Sequence, residues 1–216
     1  MKLHGYWRSS SSWRVRIALA YKGIACESVA VHLVKQGGVQ HSADYRAKNP
    51  MQQVPMLEVD DDGGETFFIA QSMAILEYLE ERWPEPPLLP RGRRERARTR
   101  QLAELINSGI QPLQNLGAMQ ELERIAPGSD AKAWSRGFIE RGLVALEATA
   151  ADMAGKFMVG DAPSFADVFL VPQLYNARRF GVELSGFATL RRAEANAMAL
   201  DAFRVSHPDA QPDAEA

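Results

Sequence analysis

Four consecutive serines, Ser9–Ser12, follow a short extended segment and open the run WRVRIALAYKG, whose apolar residues recur at helical spacing. The first turn of a helix leaves backbone N–H groups without acceptors and carries a partial positive charge, so it suits an anion. A hydroxyl placed there can donate to a thiolate and favour its charged form. Ordinary N-capping accounts for one of the four serines. Two further places invite a ligand. Val54-Pro55 stands between a loop and a strand. Proline cannot donate to a sheet ladder, so it belongs at a strand's start or edge, where a cis bond fits. A cis bond would turn the Val54 N–H and C=O outward, free to pair with a peptide-like ligand. Gln71-Ser72 opens another helix. Amide, hydroxyl and helix N-terminus together make a carboxylate site there, although a lone dipeptide also fits a plain cap.

The elements that must hold these residues alternate over the first eighty positions. Lys2–Trp7 reads as a strand, and Trp13–Lys22 as a helix with Trp13, Ile17 and Tyr21 along one face. Glu27–Val34 reads as a second strand, and a loop with a short helix covers Ser42–Lys48. Met56–Val59 and Thr66–Ile69 form a hairpin across an acidic, glycine-containing turn, DDDGGE, read as a solvent-exposed tip without a role. Gln71–Arg82 is helical, with Ser72, Ile75, Leu76, Leu79 and Trp83 on one stripe. The order βαβ then ββα describes a small mixed sheet with helices packed on it.

Trp83–Gly92 carries four of the chain's twelve prolines and reads as a linker. Beyond it the alternation stops and the chain looks helical. Ile139, Leu143, Leu146, Ala150 and Met153 form one stripe, and Ser164-x-x-Asp167 is a capping-box-like start before a strongly apolar helix. The tail HPDAQPDAEA is expected to be irregular. The expected division is therefore an α/β domain over 1–83, a linker over 84–92 and an all-α domain over 93–216.

Composition narrows the classes. Hydrophobic residues make up 46% and charged residues 24% of 216, the balance of a folded globular chain. A net charge of −2 and a pI of about 6.1 give no global field toward nucleic acid or anionic lipid. The six arginines within 91–100 read as a solvated helix start, since a nucleic-acid patch would want interleaved aromatics. No apolar stretch approaches the ~20 residues a membrane helix needs. Cys26 is the single cysteine, so no internal disulfide can form and no metal site is expected. The start MKLHGYWRSS lacks an apolar signal core, and a cytoplasmic location is expected.

The wording goes further than the chemistry. SSSSWRVRIALAYKG resembles the zeta-class glutathione transferase signature SSCSWRVRIALALKG, and NPMQQVPML, QSMAILEYLEE, GIQPLQNL, VGDAPSFADVFLVPQLYNARRF and AFRVSHPDAQPD resemble maleylacetoacetate isomerases. The likeness runs from the first strand to about Pro212. It implies a glutathione transferase fold: an α/β thioredoxin-like N-terminal domain followed by an all-α C-terminal domain, paired as a homodimer. It implies glutathione as the cofactor, with Gln71 and Ser72 at its γ-glutamyl end and Val54, before Pro55, at its cysteinyl backbone. Further ligand contacts match Gln40, Gln111 and Asn115, and the hydroxyl facing sulfur matches Ser9, with Ser10 next. Ser11 stands where the family usually has cysteine, so catalysis here must rest on hydroxyls and the helix N-terminus.

The implied activity is cis–trans isomerisation of maleylacetoacetate to fumarylacetoacetate, a small dicarboxylate substrate. The thiolate adds to the activated double bond, the bond rotates, and elimination returns the thiolate, so glutathione is required yet not consumed. Arg8, beside the serines, and Arg179, in the ARRF run, are candidates for the developing enolate and the substrate carboxylates. Maleylpyruvate isomerisation and thiolate displacement of halide from α-halo acids are the neighbouring activities. Leu116 and Gly117 after Asn115 favour maleylacetoacetate over maleylpyruvate. A non-enzymatic glutathione-binding module would have no use for a thiolate site.

Overall fold

Why the tail of this chain returns to its beginning is the main thing the sequence does not show. The computed structural model describes residues 1–60 and 63–215. By contacts the chain divides into two units, Met1–Pro87 with Leu200–Ala216, and Leu88–Ala199.

The first unit is built on a four-stranded sheet ordered β2-β1-β3-β4, from β1 (Lys2–Gly5), β2 (Glu27–Ala30), β3 (Met56–Asp60) and β4 (Thr66–Ala70). β1 pairs in parallel with β2 and antiparallel with β3, and β3 pairs antiparallel with β4. β1 stops at Gly5 because the chain turns, with the Ser9 N–H donating to the Tyr6 carbonyl at 3.0 Å. β2 is shorter than the expected Glu27–Val34. After Ala30 the His32 ring Nδ1 accepts the N–H groups of Val34 and Lys35, at 3.2 and 2.8 Å, and pulls the backbone out of the ladder. The expected hairpin is formed, with Asp60 opposite Thr66, while Asp61 and Asp62 of its tip lie outside the described residues.

Helix α1 (Ser10–Tyr21) begins three residues before the expected Trp13, because Ser9 caps it. Burial extends beyond the expected Trp13–Ile17 face to Arg14, Val15, Ala18 and Leu19. The reason is that α1 packs on both α3 (Ser72–Arg82) and the short C-terminal α9 (Asp201–Val205). α2 (Ala43–Lys48) starts at Ser42, whose hydroxyl accepts from the Tyr45 N–H at 3.2 Å. At the far end of α1, buried Lys22 pairs with Glu80 at 2.7 Å and donates to the carbonyls of Trp83 and Pro86, which fastens the proline-rich exit.

The tail joins this unit rather than the helices it follows in sequence. Trp13 Nε1 donates to Ser206 Oγ at 3.1 Å, and the Trp7 N–H donates to Asp213 at 3.2 Å. It is not wholly irregular, since Pro208–Ala210 forms a 3-10 turn capped by His207. The expected grouping of 93–216 thus differs from the contacts at Leu200.

The second unit contains α4 (Arg93–Asn107), α5 (Leu116–Ile125), α6 (Ala131–Ala150), α7 (Phe165–Arg179) and α8 (Ala188–Met198). Leu102, Ile106, Ile139, Leu143, Leu146, Phe165, Phe169 and Leu170 form its buried interior. Arg93 and Arg94 are exposed at the start of α4, while Arg98 pairs with Asp152 at 3.2 Å. Among the described residues no helix is long and apolar enough to cross a membrane.

Candidate active site

Strand register decides which loops meet. Gly5 pairs with Ala30, His4 with Met56, and Met56 with Ala70. The chain leaving β1, the chain leaving β2, the chain entering β3 and the chain leaving β4 therefore share one end of the sheet. These four segments carry Arg8 to Ser11, Gln40, Val54-Pro55 and Gln71-Ser72. Side-chain contacts tie three of the segments together. Gln71 Nε2 donates to Gln53 Oε1 at 3.4 Å, His41 Nδ1 meets Gln52 Oε1 at 2.8 Å, and Gln40 Nε2 meets His41 Nε2 at 3.1 Å.

At the α1 start, Ser9 Oγ accepts the Ser12 N–H at 3.2 Å, and its own proton has no acceptor among the described residues. Ser9 and Ser11 are half-buried and Ser10 is buried. The backbone N–H groups of Ser10 and Ser11, and both their hydroxyls, likewise have no protein partner among the described residues. Ser12 differs: it is fully buried and its Oγ accepts from the Tyr6 N–H, which makes it part of the fold. The exposed Arg8 guanidinium lies 5.2 Å from the Trp7 ring centroid, a cation–π contact that holds it beside the serines.

The loop before β3 is pinned at Gln53, whose carbonyl accepts from Tyr45 Oη at 2.6 Å and from Asn49 Nδ2 at 2.7 Å. Burial pushes the Tyr45 hydroxyl's pKa up to about 12, so it remains a donor. The next residue, Val54, is half-buried, and its N–H and C=O have no partner among the described residues. The Val54-Pro55 bond is cis, as expected from the sequence, and Pro55 is buried. Gln52 and Gln71, on either side of this point in space, both have positive φ, +55° and +73°. Non-glycine residues pay of order 1–3 kcal/mol for such backbone, and cluster where a ligand is gripped.

Gln71 is the N-cap of α3 without a side-chain cap bond, so the N–H groups of Ser72 and Met73 are left without protein acceptors among the described residues. The Ser72 hydroxyl accepts from Arg14 at 3.1 Å, and both side chains are buried. Gln40 is buried too. Its Nε2 donates to the Leu33 carbonyl at 3.1 Å, and its Oε1 has no hydrogen-bond partner.

Gln111, Asn115 and Arg179 belong to the second unit. Gln111 opens a 3-10 turn, Gln111–Gln114, and Asn115 caps α5 by accepting the Leu116 N–H at 2.9 Å. A buried amide pair, Gln114 with Gln173 at 3.1 and 2.9 Å, fastens that turn to α7. Arg179 ends α7, is exposed, and donates to Asn176 Oδ1 at 3.2 Å.

Sequence reasoning passed over Arg14, Arg16 and the Gln114–Gln173 pair. Their signal was present: two arginines within WRVRIAL and one glutamine within FLVPQLY are polar residues in strongly apolar helices, and such residues are buried only when they have partners.

A thioredoxin-like sheet with an open helix start, an unpaired backbone edge before a cis-proline and a second open helix start defines a glutathione transferase type of protein. Residues 3–87 match the family model for the glutathione S-transferase N-terminal domain. Maleylacetoacetate isomerase from Rattus norvegicus is 49% identical over 99% of this chain and 95% of its own length. The solved maleylacetoacetate isomerase from Anaeromyxobacter dehalogenans 2CP-1, with glutathione bound in the active site, is 55% identical with a TM-score of 0.90, over 99% of this chain and 97% of that one. The same protein has also been solved with dicarboxyethyl glutathione and citrate bound. A bacterial zeta-class maleylpyruvate isomerase is 40% identical over the whole of both chains, with a TM-score of 0.91. The chain belongs to the maleylacetoacetate isomerase family of zeta-class glutathione transferases.

Proposed function

We propose that this chain is an enzyme that isomerises maleylacetoacetate to fumarylacetoacetate with glutathione as its cofactor. The observation that carries the reading is the set of unpaired backbone groups at one sheet end: the Ser10 and Ser11 N–H, the Val54 N–H and C=O, and the Ser72 and Met73 N–H. Buried or half-buried backbone groups are rarely left without partners, so this set asks for a ligand with a thiolate, a peptide backbone and a carboxylate in that order. Glutathione has those three groups, and when bound its thiolate is a reversible nucleophile for an activated double bond, whose loss of double-bond character permits rotation.

The chain's own residues then divide the work. Ser9 donates its free hydroxyl proton toward sulfur, with Ser10 as the neighbouring donor, and the α1 N-terminus favours the negative charge. Ser11 takes the place of the family's usual cysteine without supplying a thiol. Val54 pairs its backbone with the cysteinyl residue, and Gln71 with Ser72 holds the γ-glutamyl carboxylate. Gln40 offers a buried, unused carbonyl oxygen to a donor on the ligand. Arg8 balances negative charge that builds on the substrate beside the serines. For Gln111 and Asn115 as ligand contacts, and Arg179 as the substrate-carboxylate residue, the support is the resemblance together with the chemistry of their side chains.

We also propose a cytoplasmic homodimer. Val34 and Met51, 62% and 65% exposed, are apolar side chains that a second copy would cover. Light scattering of the purified protein checks the dimer.

Activity is tested by following the absorbance of maleylacetoacetate and of maleylpyruvate with and without glutathione. The reading expects faster conversion of maleylacetoacetate, strict dependence on glutathione, and unchanged total thiol at the end. Conversion that consumes thiol stoichiometrically would make the protein a transferase instead.

A further inference from the structure

The turn that presents the serines, Tyr6–Arg8, is held from behind by one side chain. Arg16 Nη2 donates to the Trp7 carbonyl at 2.8 Å, Nη1 to the Tyr6 carbonyl at 3.4 Å, and Nε to the Ser206 carbonyl at 3.2 Å. A planar guanidinium is suited to bridging several carbonyls at fixed angles, which lysine cannot reproduce. Its partners come from both ends of the chain. The tail adds its own grip, since Asp213 accepts the Trp7 N–H at 3.2 Å and Ser206 Oγ accepts from Trp13 Nε1 at 3.1 Å. Farther along, Glu215 accepts from Lys35 at 2.5 Å and meets His32 Nε2 at 3.1 Å. His32 Nδ1 is already an acceptor for two backbone N–H groups, so Nε2 carries the proton and donates to Glu215. The His32 ring in turn packs edge-on against Tyr6, with centroids 5.2 Å apart.

We infer that Arg16 and the carboxyl-terminal tail are positioning elements for catalysis: they lock the Tyr6–Arg8 turn and so set the direction of the Ser9 hydroxyl. The inference rests on the reading of Ser9 as the residue that faces sulfur. The geometry leaves little else to fix that turn. The Trp7 N–H and C=O and the Tyr6 C=O are engaged by Asp213, by Arg16, and by Arg16 with the Ser9 N–H. Burial lowers the Arg16 pKa to about 10 and nearby Asp213 opposes that, so Arg16 is charged throughout the neutral range. A displaced hydroxyl weakens a thiolate contact without touching the groups that hold the rest of glutathione, because Val54, Gln71 and Ser72 lie on other segments.

The test uses the full-length protein as Arg16→Met, Arg16→Lys, Asp213→Ala, Ser9→Ala and the double variant Ser9→Ala/Arg16→Met. Amide hydrogen exchange over 6–12, kcat and glutathione Kd are read for each. The expected result for Arg16→Met and Asp213→Ala is faster exchange at Trp7 and Ser9 and a kcat reduced roughly tenfold, with Kd within a few-fold, as for loss of one charge-assisted hydrogen bond. Arg16→Lys should restore part of kcat. The double variant should lose little more than Ser9→Ala, because residues acting through one contact are not additive. If Arg16→Met does not fold, Asp213→Ala carries the same expectations. The inference is overturned if kcat is unchanged in Asp213→Ala while Ser9→Ala lowers it, or if the losses of Ser9 and Arg16 simply multiply. Wild-type kcat in Ser9→Ala would instead overturn the reading of Ser9, and the inference with it.

Discussion

Two helices of this protein start at a serine, and they have been put to opposite uses. At α7, Ser164 is 1% exposed, and both its N–H and its Oγ donate to Asp167 Oδ2 at 2.9 Å. Asp167 also takes the Met158 N–H at 2.8 Å, so a single carboxylate closes the helix start on itself. At α1, Ser9 accepts one N–H and the groups around it are left open. The residue type and the cap position are the same. The difference is whether a carboxylate three positions later satisfies the start; α1 has none in its first turn. A helix start that keeps no internal anion is available for an external one. The α7 start holds the fold; the α1 start holds a ligand.

Breaking the closed start should give the largest effect. Asp167→Ala leaves three buried donors without their acceptor, a loss of about 3 kcal/mol of stability, while kcat per folded molecule stays near wild type. Thermal or urea unfolding beside an active-site titration checks this. The pH dependence sharpens it. Burial raises the Asp167 carboxyl from 3.8 to about 6, so the folded state binds its proton more tightly than the unfolded chain does. That contribution favours folding below pH 3.8 and is lost as the pH rises through about 6. Asp167→Asn should therefore lose less stability than wild type across that window, measured as urea midpoints at matched pH.

The same truncation at the open start should act on chemistry. Ser9→Ala is expected to lower kcat by roughly ten- to 150-fold, the equivalent of about 1.5–3 kcal/mol, with glutathione Kd within a few-fold. Some of its folding stability also goes with the cap bond, about 1 kcal/mol. Turnover at the wild-type level would move the role to Ser10 or the backbone.

Arg179→Ala should raise KM for the dicarboxylate about tenfold and leave a short α-halo acid nearly unaffected, because only the longer substrate has a far carboxylate to bind bidentately. Arg8→Ala should depress both activities. Equal losses on both substrates for Arg179→Ala would assign that residue to folding. The smallest effect is expected at Cys26. It is half-buried just before β2, and burial raises its thiol pKa, so little thiolate is present near neutrality. Alkylation there should be slow and leave activity intact; rapid inactivation that glutathione prevents would place it at the site.

How much of this was legible beforehand depends on distance along the chain. Ser9, Val54-Pro55 and Gln71-Ser72 announce themselves because helix starts and X-Pro junctions are local chemistry, and the Ser164-x-x-Asp167 box is equally local. β2 was read too long because apolar character continues to Val34, whereas His32 takes the two backbone N–H groups that a ladder would need. The face of α1 was read too narrowly because α9, its second packing partner, arrives from the far end of the sequence. Arg16 shows the limit most clearly. Within WRVRIAL it looks like a solvent-side arginine, and only the return of Ser206 and Asp213 reveals why it is held there.

The central claim is that the α1 start, with Ser9, stabilises a thiolate. The most direct measurement is the ultraviolet titration of the thiol of glutathione bound to the wild-type protein, set against free glutathione and against the Ser9→Ala complex. The account expects the bound thiol to titrate well below the free one, and to move back toward it in Ser9→Ala. A bound thiol that titrates at or above the free value in the wild-type protein would contradict it.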